Sequence, residues 1–483
     1  MRFPSLLLMT IGACLLGSRG GAFGAERQLG DTGRPSSTIG DDRGEAAGSA
    51  AARVGAVAHV SKRVLQYMLN RDVTLKETVA EPILNMTTRG TARVDCQIGL
   101  DLVPNAQTAN LRLSMNGTVI MDDAVSTSGS VQIHSSSRTR IRVDKDILLD
   151  AQGLHLQPTR SNGRTTIQVR NVDSPGRFVE RVAWRRVGRA QSEAEQACGQ
   201  RAASRAEKQL DFEIGKSLGQ LQSQFVDKVR RPLSDRGAFP GAQLATTRDH
   251  LSIRLLRSAE LAASKPLASS PPRLADDFAI CLNDSFVNEM AALVLAGKTC
   301  ADHDLADLLK LLTGVTPRPL WIHARTEPWS VTVAQDCPLI VSFADEGVSI
   351  TLRIDQAMRG TQRLDRALAI SAVYVLECTA DGPRLIRRGD PVVEFTDAEA
   401  GDHTDPREAE FHEFLKRKFG GVFLSDLYFD GLMPPEGGQW GKLRRLQLKE
   451  LSSRDGWLNL GYELRSVVPV VSAPPATRPM TRR

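Results

Sequence analysis

The chain has 483 residues, of which 41% are hydrophobic and 24% are charged, and its formal net charge is +6. This length exceeds what one ordinary hydrophobic core supports, so two or three domains are expected. The charge is modest and no dense basic patch is interleaved with aromatic residues. This argues against nucleic acid as a partner and allows peripheral contact with anionic envelope surfaces.

Residues 1–25 have the pattern of a secretory signal peptide. Arg2 precedes an apolar run at Leu6–Leu16, and small residues then favour cleavage after Ala22 or Ala25. The run is shorter than the roughly 20 apolar residues that a membrane-spanning helix needs. The sequence therefore predicts an exported protein, periplasmic or secreted, whose mature form is soluble or peripheral to a membrane.

The segment Ile11–Cys14 also resembles a bacterial lipoprotein cleavage box, which would leave Cys14 as a lipidated N-terminus. The apolar run continues past it through Leu15 and Leu16, where such a box would normally end the run. Lipid anchoring at Cys14 is therefore the less favoured alternative.

Composition divides the rest of the chain. One linker has almost no large apolar side chain, and a second is rich in Pro and Ser. The predicted segments are a signal peptide at 1–25, a disordered linker at 26–52, an N-terminal unit at 53–263, a linker at 264–273, a C-terminal unit at 274–465 and a disordered basic tail at 466–483.

The N-terminal unit begins with valines spaced by three or four residues, which predict an amphipathic helix over 54–68. Alternating apolar residues predict strands at 98–102 and 111–115. The pairs Asn116–Gly117 and Asn162–Gly163 predict hairpin turns, because both turn residues must accept positive φ. An antiparallel meander is expected.

A long helix is predicted from about Gln191 to Arg231, with Pro232 ending it. Its apolar stripe consists of Leu210, Ile214, Leu218, Leu221, Phe225 and Val229. The first half of this helix is rich in alanine and charged residues, which predicts looser packing.

The C-terminal unit repeats this order. A helix is expected after Asn283, strands at Val348–Ile354 and Leu368–Glu377, a hairpin at Asp381–Gly382, and a helix starting at Asp405–Pro406. The predicted fold class is thus α+β, with two β-rich units. Each would be an antiparallel curved sheet with long amphipathic helices.

Six cysteines remain without Cys14, and an even number in an exported chain favours disulfides. They are Cys96, Cys198, Cys281, Cys300, Cys337 and Cys378. Cys281 and Cys300 flank one predicted helix, and Cys337 and Cys378 flank one predicted meander, so pairing within each set is expected. Buried thiols are the alternative.

Catalytic signatures are missing from the sequence: no nucleophile elbow, metalloprotease pair or phosphate-binding loop occurs. Segment 402–405 with Glu408 and His412 is the nearest approach to a metal site, but helix capping explains its acidic residues better. His303, between two aspartates, fits a helix start. We predict no catalytic, metal or cofactor site and no enzymatic activity.

The order of elements in the second half resembles that of tubular lipid-binding (TULIP-type) proteins, the class of bactericidal/permeability-increasing protein. The residues concerned are Phe278–Phe286, the helix after it, and the strands Val348–Ile354 and Leu368–Leu376. The resemblance spans about 54–465 and includes no diagnostic motif, so it assigns no functional residue. It extends to uncharacterised exported bacterial proteins of similar length. It implies a curved sheet around a long helix, with lipid tails between them.

The favoured function is that of an exported, non-enzymatic binding protein of the bacterial cell envelope that binds or handles lipid. A lipid groove would be lined by Leu352, Ile354, Leu368 and Ile370, although a central buried strand explains these residues equally well. The partner is then a lipid or another envelope protein. Two alternatives remain: a structural or protein-interaction component of the envelope, and a hydrolase whose site is assembled from distant residues.

Overall fold

The computed structural model describes residues 54–151, 153–225, 241–257, 276–301, 303–304, 327–345, 347–379, 382–396, 405–428 and 446–465, with the backbone alone for 217–225. The predicted signal peptide, both predicted linkers, the predicted tail and Cys14 lie outside these ranges. The domain limits therefore stay predictions.

Most of the described residues are in β-strands. The elements of the first half are β1 Val54–Ser61, α1 Lys62–Leu69, β2 Arg71–Ile83, β3 Met86–Val103, β4 Ala109–Ser128, β5 Val131–Asp150, β6 Gly153–Leu156, β7 Arg160–Asp173, α2 Arg177–Phe225, β8 Gly241–Thr246 and β9 His250–Leu256. Those of the second half are β10 Phe278–Asn283, α3 Asp284–Leu295, β11 Thr299–Ala301, β12 Trp329–Val333, β13 Leu339–Ala344, β14 Gly347–Arg359, β15 Gln362–Leu364, β16 Leu368–Thr379, β17 Gly382–Arg387, β18 Val392–Phe395, α4 Pro406–Val422, β19 Asp426–Tyr428, β20 Leu446–Arg454 and β21 Trp457–Leu464.

Three antiparallel sheets result. The central sheet has the order β20-β21-β10-β1-β9-β8 and so joins strands from both halves of the chain. The N-terminal sheet has the order β2-β3-β4-β5, with β6 and β7 both pairing with β5. The C-terminal sheet has the order β11-β12-β14-β16-β17-β19, with β13 and β15 beside β14 and β18 beside β16.

The amphipathic helix predicted over 54–68 is wrong in its first half. Val54–Ser61 is the strand β1 in the middle of the central sheet, and only Lys62–Leu69 is helical, beginning where the Ser61 hydroxyl accepts from the Val64 N–H at 3.2 Å. A strand covered on both faces loses the alternation of apolar and polar residues. Its valines at every third position then have the spacing of a helix.

Both predicted Asn-Gly turns are also wrong, because the two pairs lie inside strands. Gly117 is in β4, where a Cβ would overlap the Cys96 sulfur, and Gly163 is in β7, where a Cβ would overlap the Gly199 carbonyl. Each glycine therefore makes room for a neighbour instead of making a turn.

The predicted elements of the C-terminal unit are largely confirmed. The strands at 348–354 and 368–377 belong to β14 and β16, which pair directly. The Asn283 side chain caps α3 by accepting from the Ser285 N–H at 3.1 Å, and the Asp405 side chain caps α4 by accepting from the Arg407 N–H at 3.1 Å.

The predicted fold class, α+β with long amphipathic helices in each unit, is wrong: the described part of the chain is mostly β, with four helices and curled sheets. Three helices have 8, 12 and 17 residues. The described residues contain one long helix, α2, in the first half of the chain, whereas a long helix was predicted in each unit. No helix in the described ranges is long and apolar enough to cross a membrane.

The predicted disulfides are not formed, and no disulfide joins any of the six cysteines of the described residues. Cys281 lies in the central sheet and Cys300 in the C-terminal sheet. Leu339, two residues after Cys337, is level with Ile370 of β16 across the C-terminal sheet. Cys378 lies eight residues beyond Ile370 on the same strand. That separation of roughly 26 Å along the strand far exceeds the Cα distance a disulfide allows.

Candidate functional site

The N-terminal sheet curls around α2, and one of its edges is fastened to the helix at Ile167. The Ile167 N–H donates to the Glu195 carboxylate, and the Gln191 amide donates to the Ile167 carbonyl, both at 2.9 Å. Strand β7 pairs with β5 alone, so side chains of α2 satisfy backbone groups that no further strand reaches.

The opposite edge of the sheet reaches the same helix. Arg205 forms an ion pair with Glu81 in β2, and Arg201 donates to the Pro82 carbonyl. Because both edges contact α2, the sheet and the helix together enclose a space.

The closest approach of helix and sheet is a contact between two glycines. A Cβ on Gly199 would lie 2.5 Å from the Gly163 carbonyl oxygen, and a Cβ on Gly163 would overlap the Gly199 carbonyl. Side chains at either position would force the helix away from β7.

An ion pair holds α2 to the sheet beyond this contact. The ammonium of Lys145, buried on β5, lies 2.7 Å from an Asp211 oxygen, which also accepts from the Thr159 hydroxyl at 2.6 Å. Burial of Asp211 acts to raise its pKa, but the hydrogen bonds from Lys145 and Thr159 and the charge of Lys145 together lower it below its ordinary value. These contacts therefore favour the charged form of the Asp211 carboxylate.

A cavity of about 610 Å³ lies between α2 and the concave face of the N-terminal sheet. On the helix, lining residues recur at steps of three or four, as in the series Val179, Ala183, Val187, Ala190, Ala194 and Cys198. On the sheet, they include Val119, Met121, Val131, Ile133, Ile167 and Val169. The volume is within the usual range for small-molecule sites.

Small side chains explain why this space is open. Ala190 and Ala194 on the helix face residues such as Ala92, Ala124 and Ser135 on the sheet, and all five line the cavity. Close packing needs side chains that fill the gap between two surfaces. Alanine and serine are too short to do so while the edge contacts hold the helix in place.

Three of the six hydroxyl side chains that line the sheet side of the cavity are paired with another hydroxyl. Thr88 and Ser126 are hydrogen-bonded at 2.7 Å, and Thr139 and Thr165 at 2.8 Å. These three hydroxyls therefore need no hydrogen bond from an occupant of the cavity.

The cavity is elongated along β5. Its lining on β5 extends from Val131 to Thr139, nine residues whose eight steps span roughly 26 Å. One leaflet of a bilayer provides roughly 15 Å of hydrocarbon, half of the usual core thickness. The cavity is therefore long enough for a complete acyl chain.

The β2–β3 and β4–β5 hairpin tips and the start of α2 all contribute to the cavity wall. The β2–β3 turn consists of Leu84 at φ 45° and Asn85 at φ 66°, and both residues line the cavity, as do Val131 of the β4–β5 hairpin and Val179 of α2. Glycine or asparagine usually occupies such turns, so a leucine at positive φ is strained. Strain of this kind is concentrated at functional sites.

The thiol in the cavity wall is not activated. Burial raises the pKa of Cys198, the charge of Glu195 raises it further, and the nearby Arg201 only partly opposes these effects. In the described ranges, no three His, Cys, Asp or Glu side chains are grouped as a metal ion would need.

A second depression, of about 710 Å³, crosses five strands of the same sheet, and most of its lining residues are polar or charged. Its charged side chains are Asp72, Asp95, Arg140, Arg142 and Arg164. Arg140 and Arg164 lie directly opposite each other in the sheet. An acyl chain would gain little by burial against these groups.

The residues predicted to line a lipid groove lie together, but elsewhere. Leu352 is opposite Ile370 and Ile354 is opposite Leu368 in the C-terminal sheet. Three of the four are fully buried, Leu352 packs against them, and all four belong to the main hydrophobic core. None of them lines the cavity beneath α2.

The residues considered for a metal site have structural partners. Glu408 forms an ion pair with Arg366 at 2.6 Å, and the His412 ring nitrogen lies 2.7 Å from the Val393 carbonyl. His303 lies 3.6 Å from Asp304. Residues 402–404 lie outside the described ranges.

Comparison with known proteins identifies no family. No protein-family model matches the chain, and no curated protein matches it. Among solved structures, a lipopolysaccharide binding protein is 13% identical with a TM-score of 0.29, covering 86% of this chain and 99% of that one. P47 of Clostridium botulinum E1 is 6% identical with a TM-score of 0.23, covering 85% and 99%. Scores at this level establish neither a shared fold nor a shared ligand.

The sequence did carry a signal for the cavity. The alanine-rich first half of the long helix predicted looser packing, and that half provides Ala194, Cys198 and Ala202 of the lining. The residues that face them are spread over five strands, so their meeting could not be read from any single segment.

Proposed function

We propose that the protein is a non-enzymatic lipid-binding protein, and that an acyl chain occupies the cavity between α2 and the N-terminal sheet. One observation carries this proposal: a mostly apolar cavity of about 610 Å³, with Arg186, Arg201, Arg205 and Glu81 in its wall, that extends far enough along β5 to take a whole chain. Apolar cavities hold water poorly. A hydrocarbon chain suits this surface because it makes no demand for hydrogen bonds.

The expected affinity follows from burial. Each buried methylene contributes roughly 0.8 kcal/mol, so about a dozen contribute roughly 10 kcal/mol before the cost of association is subtracted. Binding in the micromolar range or tighter is therefore expected. The signal-peptide pattern of residues 1–25 supports action in the envelope or outside the cell.

The test is a titration of the purified full-length protein with a fluorescent fatty acid, alongside native mass spectrometry for co-purified lipid. Ala194→Trp would place a large ring in the cavity, whereas Gln196→Trp places the same ring on an exposed position of the same helical turn. We expect saturable binding by the wild type, at least tenfold weaker binding by Ala194→Trp, and unchanged binding by Gln196→Trp.

Two results would overturn the proposal. One is the absence of saturable binding by the folded wild type. The other is equal affinity of the wild type and Ala194→Trp, which would place any bound lipid outside this cavity. Circular dichroism spectra of both variants establish that they are folded.

A further inference from the structure

The first turns of α2 expose large apolar side chains to solvent. Phe178 is 79% exposed, Trp184 and Val179 are each 41% exposed, and Val182 is 37% exposed. Clusters of exposed apolar side chains of this kind mark surfaces that bind a membrane or another protein.

The same turns are strongly basic. Between residues 177 and 190 the sequence has five arginines and one acidic residue, Glu180, a net charge of +4 from five minus one. The arginines are Arg177, Arg181, Arg185, Arg186 and Arg189. No ion pair joins any of them to a carboxylate in the part of the chain that the structure describes. Aromatic residues among unpaired arginines are typical of helices that lie in a lipid interface.

This segment is also the entrance of the cavity. Val179 and Val182 are exposed and line the cavity at the same time. A surface that binds a bilayer here would bring the opening against the lipid, so that a chain could enter without crossing water.

We propose that residues 177–189 of α2, the docking segment, attach the protein to an anionic lipid surface and place the cavity entrance against it. The charge of the segment complements anionic headgroups. Its aromatic side chains suit the depth at which headgroups meet acyl chains. This inference rests on the proposed function for its purpose, but its measurement does not depend on lipid entering the cavity.

The test is co-sedimentation of the full-length protein with vesicles of phosphatidylcholine alone or of phosphatidylcholine with phosphatidylglycerol. The variants are Phe178→Ala with Trp184→Ala, and Arg181→Gln with Arg185→Gln. Phe212→Ala is the matched control, because Phe212 is 64% exposed on the same helix, away from the cavity.

We expect binding to the anionic vesicles that weakens with salt. The variant without Phe178 and Trp184 should partition onto the vesicles at least tenfold more weakly than the wild type. The variant without Arg181 and Arg185 should lose about fivefold in partitioning for each arginine removed. Phe212→Ala should bind like the wild type. Equal binding to both kinds of vesicle, or an equal loss in Phe212→Ala, would overturn the inference.

The fatty-acid titration in solution separates the two proposals. Uptake of the probe without vesicle binding would overturn the docking segment, assign its exposed surface to a protein partner and leave the lipid-binding cavity intact. Vesicle binding that depends on the segment, without probe uptake, would support docking and refute the cavity function.

Discussion

Replacing Gly199 by alanine tests how closely α2 lies against the N-terminal sheet. The new Cβ would lie 2.5 Å from the carbonyl oxygen and 3.0 Å from the carbonyl carbon of Gly163. A backbone carbonyl cannot rotate away as a side chain can, so the helix or the strand must move. Overpacking of this kind costs roughly 3 kcal/mol, at the upper end of its range.

The same substitution has a favourable effect that must be separated from the clash. Alanine is about 1 kcal/mol better than glycine inside a helix. Gly188 in the same helix is exposed and has open space around it. Gly188→Ala should therefore stabilise the protein by about 1 kcal/mol, while Gly199→Ala should destabilise it by about 2 kcal/mol, a difference of about 3 kcal/mol between the two variants.

Differential scanning calorimetry measures both variants. A change of 1 kcal/mol shifts Tm by about 2–4 °C for a unit of this size. Gly199→Ala should lower Tm, Gly188→Ala should raise it, and only Gly199→Ala should speed the reaction of the neighbouring Cys198 with a maleimide. If both alanines raise Tm equally, the close contact between α2 and β7 does not exist.

Two further predictions concern titratable groups. Burial and, next, the charge of Glu450 raise the pKa of Asp276, so the folded state binds the proton of this carboxyl more tightly than the unfolded state. The stability gained from that proton is lost as pH rises through the raised pKa. Asp276→Asn should therefore raise Tm at pH 7 but not at pH 3, and a lower Tm at pH 7 would contradict this. Burial also raises the pKa of Cys281 to about 12. In the native protein a thiol reagent should modify the exposed Cys337 and Cys378 and spare Cys281. If Cys337 or Cys378 reacts only after treatment with dithiothreitol, that cysteine is in a disulfide and the prediction is wrong.

The sequence predicted local structure best where a local cause determines it. Asn283 and Asp405 cap their helices as expected, because an N-cap needs only its own side chain and the next turn. Strands with a clear alternation, such as 98–102 and 348–354, are confirmed for the same reason.

Predictions failed where a distant segment decides the structure. Val54–Ser61 is a strand because β9 and β10 lie on either side of it, nearly 200 and more than 200 residues further along the chain. Gly163 is a glycine because α2 crosses β7 there, which the Asn162–Gly163 dipeptide cannot reveal. In both cases tertiary packing overrides the local signal.

The cavity has the same origin. Its position depends on contacts that stop α2 from moving inward: Ile167 at one sheet edge, Glu81 at the other, and Gly163 against Gly199 between them. With the helix fixed at these points, the alanines beneath it cannot approach the sheet, and an apolar gap remains. Water gains little in such a gap. The contacts that complete the fold therefore also create the space in which we propose that an acyl chain binds.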